Sequence, residues 1–125
     1  AMMSPDQFDE FYVPYVTEQI SQLDRSLYHL DGPDAVRHVD SLLRIEKLNA
    51  IQWVSGAGKP SNGDEVWFPM YEKILGAGKG LQISVNADHV EPIIRRLGAR
   101  GLYLITHVKT QQEARDLLAM ARRLS

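Results

Sequence analysis

The chain has 125 residues, 44% of them apolar and 24% charged, which fits one globular domain spanning 1–125. Its net charge of −2 gives no general attraction to nucleic acid or to an anionic membrane surface. There is no cysteine, which excludes disulfides and thiolate metal sites.

No apolar run approaches the length of a membrane span, and no leader-like order of basic, apolar and small residues opens the chain. The expectation is a cytoplasmic protein with no membrane and no nucleic-acid partner.

Ser4-Pro5-Asp6-Gln7 is a helix start, with Ser4 as cap and Pro5 in the first turn. Phe8, Phe11, Tyr12, Tyr15, Val16 and Ile20 follow at mostly helical spacing, and Pro14 should kink this first helix. Arg25–Asp31 reads as the first strand. Gly32-Pro33 turns into a second helix through Arg44, with Ala35, Val36, Val39, Leu42 and Leu43 on its buried side.

Leu48–Val54 is the second strand, and a glycine-rich loop, residues 55–63, follows it. A third helix covers Val66–Leu75, Leu81–Val85 is the third strand, and Asn86 caps a fourth helix ending at Gly98. Pro92 is expected to delay or bend that helix. Gly101–Thr106 is the fourth strand. Thr110-Gln111-Gln112-Glu113 is a capping box, opening a last helix whose buried stripe is Leu117, Leu118, Ala121 and Leu124.

Strict alternation of helices with short apolar strands implies an α/β fold with a parallel sheet and helical crossovers, four strands alternating with five helices.

Candidate chemistry gathers at strand ends. His29 and Asp31 are two residues apart, so a strand projects both from one face, at the carboxyl end where α/β folds bind ligands. His107 follows the fourth strand and falls on the same rim. Two histidines and a carboxylate are competent ligands for zinc or iron(II), and a metal there would generate a nucleophile near neutral pH. The plain alternative is a hydrogen-bonded His–Asp pair.

Gln52 and Trp53 point to opposite faces, Gln52 toward a site and Trp53 toward the core. Gly56-Ala57-Gly58-Lys59 fails the P-loop pattern and reads as a flexible rim loop able to touch ligand. His38 and His89 are expected to face solvent, and Tyr103 to join the core.

Ser4-Pro5-Asp6-Gln7-Phe8 with Val13-Pro14-Tyr15, then Tyr28-His29-Leu30-Asp31-Gly32, Asn49-Ala50-Ile51-Gln52-Trp53 and Trp67-Phe68-Pro69-Met70-Tyr71 carry a resemblance. Together they resemble the C-terminal half of the uroporphyrinogen decarboxylase superfamily, which includes the cobalamin-dependent methyltransferases. The resemblance implies half of a (β/α)8 TIM barrel. It implies metal-assisted methyl transfer to a thiol or related acceptor, with zinc as cofactor and a corrinoid such as methylcobalamin, or a corrinoid protein, as partner.

His29-Leu30-Asp31-Gly32 occupies the family's His-x-Cys-Gly motif, with Asp31 in place of cysteine, and His107 falls near a second ligand position. His29 and Asp31 are thus the expected catalytic pair; His29, Asp31 and His107 the metal ligands; and Gln52, Gly56 and Tyr28 the substrate contacts. The alternative is a non-catalytic oligomeric or ligand-binding half-barrel.

Four strands alone leave two open edges and one uncovered face, expected to be apolar. The remedy is a homodimer, or a separate N-terminal half-barrel chain.

Overall fold

The computed structural model describes residue 10 and residues 26–124. The expected first helix, residues 4–20, lies outside the described residues. Four parallel strands form one sheet in chain order: β1 (Leu27–Asp31), β2 (Ala50–Val54), β3 (Gly80–Ser84) and β4 (Leu102–Ile105). Among the described residues, four α-helices connect or follow them: α1 (Val39–Leu43), α2 (Phe68–Gly76), α3 (Ala87–Leu97) and α4 (Gln111–Leu124). Short 3-10 turns, Pro33–His38 and Glu65–Trp67, lead into α1 and α2.

Each boundary has a local cause. Gly32 takes φ 85° before Pro33, a conformation that only glycine adopts without strain. The Asp64 carboxylate accepts from the Val66 N–H at 2.9 Å and starts the turn into α2. Thr110 Oγ1 accepts from the Glu113 N–H at 3.1 Å. The Glu113 carboxylate returns to the Lys109 N–H at 3.1 Å, one residue earlier than an ordinary capping box. α3 begins directly after Asn86, so Pro92 sits inside the helix and does not delay it.

A sequential order of parallel strands with right-handed crossovers places every helix on one face of the sheet. Burial agrees. Leu30, Ile51, Trp53, Leu81 and Ile83 point to that face and are each at most 1% exposed. They pack on Val39 and Leu42 of α1, Phe68, Tyr71 and Ile74 of α2, and Val90 and Ile93 of α3.

The opposite face differs from the expectation. Its middle rung runs across all four strands as His29, Gln52, Gln82 and Tyr103. That face is mixed, not uniformly apolar: the middle rung is polar, Asp31 and Ser84 add to it, and Leu27, Ala50, Val54 and Ile105 flank it. Tyr103 belongs to this rung and is 66% exposed, so it is not a core residue.

Two further expectations are corrected. His38 is buried at 1% exposure. It lies three residues after Ala35 and four before Leu42, so it shares their stripe. Leu118 is exposed, while Leu117, Ala121 and Leu124 rest half-buried on the core. Nothing in α4 is fully buried, because this helix covers only the outer flank of β4 and α3. No helix among the described residues is long and apolar enough to cross a membrane.

Candidate functional site

The carboxyl ends of the four strands form one rim, and the candidate residues stand along it. On β1, His29 and Asp31 project together from the uncovered face. Asp31 Oδ2 lies 3.9 Å from His29 Nε2. The neighbouring strand supplies a second partner, since the register puts Gln52 directly beside His29. His29 Nδ1 meets Gln52 Oε1 at 2.8 Å.

With the Gln52 amide in this orientation, the ring nitrogen must donate. The neutral imidazole then carries its proton on Nδ1 and its lone pair on Nε2, toward Asp31. This is an oriented base or a one-sided cation ligand. Both members are open to water, His29 at 53% and Asp31 at 64%, so the two acceptors are solvated rather than bonded to each other, and any charge interaction between them is strongly screened.

A cleft of about 420 Å³ opens further along the rim, between the ends of β2, β3 and β4. Ser55, Gly56, Asn62, Ser84, Asn86 and His107 are among its lining residues. Asn62 builds its wall. Its side-chain oxygen accepts from the Ser55 N–H at 3.0 Å, and its amide donates to the Ser84 carbonyl at 2.9 Å. Below it, the Tyr71 hydroxyl donates to the Asn62 carbonyl at 2.6 Å. Burial raises the Tyr71 phenol far above its ordinary pKa, so it remains a donor.

Trp67 Nε1 donates to the Pro60 carbonyl at 3.1 Å, and the Trp67 ring rests 5.1 Å from that of Trp53. The loop 55–63, read from the sequence as flexible, is therefore tied at several points. Glycine is required in it at Gly56 and Gly58, with φ of 94° and 77°.

The expected site residues thus fall into three places. His29, Asp31 and Gln52 are together on the uncovered face. Gly56 and His107 line the cleft. Tyr28 is on the helical face of β1, packed against the core, because it alternates with His29. It does not join the other substrate contacts.

His107 follows β4, whereas His29 and Asp31 are on β1, and these are the two edge strands. Three inter-strand spacings, about 14 Å in all, separate such edges. Among the described residues, no three His, Cys, Asp or Glu side chains converge to hold a metal ion.

Ser55, Asn62, Gln82 and Tyr103 were not singled out as site residues. Gln82 and Tyr103 had a sequence signal, the period-two alternation they share with Gln52. Asn62 had none beyond lying in a turn-rich loop. No family model matches the chain, and no curated protein or solved structure shows significant similarity to it.

Proposed function

We propose that this chain is half of a (β/α)8 barrel of the uroporphyrinogen decarboxylase kind, whose working form closes by pairing with a second copy. One observation carries this reading. A sequentially ordered parallel sheet has its helices on one side and, on the other, a continuous rung of His29, Gln52, Gln82 and Tyr103. Inward rungs of this type line barrel interiors.

In the closed ring, β1 of each copy meets β4 of the other. His29 and Asp31 of one copy then share a seam with His107 of the second copy. Zinc belongs to this reading only there, since one chain alone does not bring three such ligands together among its described residues. The ion would supply Lewis-acid activation of a thiol acceptor. This chain's own part is to orient His29 through Gln52 and to present the His29 Nε2 lone pair at the rim.

The reaction class that follows is methyl transfer to a thiol or related acceptor in the cytoplasm, with a corrinoid as methyl donor. A separate N-terminal half-barrel chain is the other possible closing partner.

The second reading, a non-catalytic ligand-binding half-barrel, is favoured by the openness of the His29–Asp31 pair to water. Native mass spectrometry, followed by a methylcobalamin-to-thiol transfer assay, separates the two. A metal-bearing dimer whose transfer activity is lost in His29→Ala supports the enzyme. A dimer without activity, under saturating zinc and methylcobalamin, leaves the binding module. A monomer in which His29→Ala changes nothing rejects both the ring and its site.

A further inference from the structure

The cleft at the ends of β2, β3 and β4 has a property that neither His29 nor barrel closure requires. α3 is an 11-residue helix that begins at the cleft, with Asn86 as its N-cap residue. The Asn86 side chain makes no capping bond. Among the described residues, the Ala87 and Asp88 N–H groups have no backbone acceptor outside the helix; His89 N–H bonds back to the Asn86 carbonyl at 3.0 Å. Such first-turn donors have no partner within the helix itself. α4 differs, since its first turn is filled by Thr110 and Glu113.

A second observation comes from Ser55 at the end of β2. It is only 5% exposed and lines the same cleft. Its N–H is taken by Asn62, but its hydroxyl has no hydrogen-bond partner among the described residues. That oxygen is not one of the sealed, unpaired atoms of the interior either, so the cleft is its access to a partner. The Ser55 hydroxyl is thus a donor reached from the cleft alone, where water or an occupant of the cleft takes it.

The Ser84 and His107 side chains add further polar groups to the lining. Open helix N–H groups, a hydroxyl and an imidazole donor suit an oxyanion.

We propose that this cleft binds the carboxylate or phosphate group of a small ligand, with the first-turn N–H groups of α3, Ser55 and His107 as its donors. The site lies within one chain and stands whether or not the barrel closes. Asp88, in the first turn and exposed, opposes the ligand and limits its affinity.

The test is an amide NMR titration of the whole chain with sodium phosphate and, separately, sodium acetate, against chloride at matched ionic strength. Saturable shifts are expected at Ser55, Ala87 and Asp88. Saturation by phosphate alone identifies a phosphorylated ligand, and saturation by acetate identifies a carboxylate. Ser55→Ala should weaken binding about threefold to tenfold, by loss of one hydrogen bond. His107→Ala, at an exposed position, should weaken it as well, and Asp88→Asn should strengthen it severalfold. The proposal is overturned if neither anion saturates these amides, or if the anion that binds does so equally well in Ser55→Ala and His107→Ala.

Discussion

The Lys79 ammonium lies 2.7 Å from the carbonyl oxygen of Ile45, a residue 34 positions earlier in the chain. It also donates to the Glu46 carbonyl at 3.3 Å. Lys79 is 8% exposed, so its charge is spent on the turn that follows α1, joining that turn to the start of β3. Lys79→Met keeps the stem and deletes the donors. It should cost about 1–3 kcal/mol, because two charge-assisted bonds are lost, although the Ile45 carbonyl keeps the Leu48 N–H at 3.1 Å. Urea denaturation will measure the loss, and an unchanged midpoint would show that water replaces the ammonium.

Tyr71 gives the chain an alkaline limit. An unfolded phenol ionises near pH 10, whereas burial holds the folded one protonated well beyond that. Above about pH 10 the unfolded state therefore binds fewer protons than the folded state. The Tyr71 contribution is whole below that pH and falls by about 1.4 kcal/mol per pH unit above it. Tyr71→Phe loses about 1 kcal/mol at pH 7 with its bond to Asn62, but should lack this slope. Stability curves of the two proteins between pH 8 and 11 will converge if this is right, and will stay parallel if it is wrong.

Gly63 is buried under His89. A Cβ built on Gly63 would overlap the His89 ring and come within 2.8 Å of its Cβ. Gly63→Ala should destabilise by about 1–3 kcal/mol, as overpacking does. Most of the overlap is with the ring, so adding His89→Ala should recover part of that loss, the remainder staying with the His89 Cβ at 2.8 Å. A double-mutant cycle with no coupling between the two positions would contradict this packing.

Tyr103 and Leu27, 66% and 49% exposed, stand on opposite edge strands of the uncovered face. In the proposed pair they become seam residues. Tyr103→Lys should weaken dimerisation at least tenfold while leaving the circular dichroism spectrum unchanged. Sedimentation will decide: a variant that dimerises like the parent places any pairing surface elsewhere.

The fold was largely written in short-range pattern. The Leu-Tyr-Leu-Ile run of β4, the Thr110–Glu113 box and the Gly98 stop each have a local physical cause, and the structure keeps them. The expectation of an apolar uncovered face misses its polar middle rung, although the signal is present. Ile51-Gln52-Trp53 and Leu81-Gln82-Ile83 alternate at period two, so both glutamines had to share the face opposite the core. His38 and Lys79 were illegible for another reason. A polar residue is buried only when distant parts of the chain enclose it, and a donor 34 residues from its acceptor leaves no local trace. At the site, the His29–Asp31 pairing followed from spacing, but the Gln52 contact required the strand register. The distance between His29 and His107 required the strand order.

The bonds of Asn62 have a consequence for affinity. One side chain fastens the ends of β2 and β3, while its carbonyl is held by the Tyr71 hydroxyl from α2. The wall of the cleft is thus ordered during folding, before any ligand arrives. A ligand entering such a wall does not have to offset the entropy of fixing a loose loop, which runs to about 1–2 kcal/mol for each backbone residue immobilised. A few donors can then hold a small anion that the same groups on a mobile loop would release.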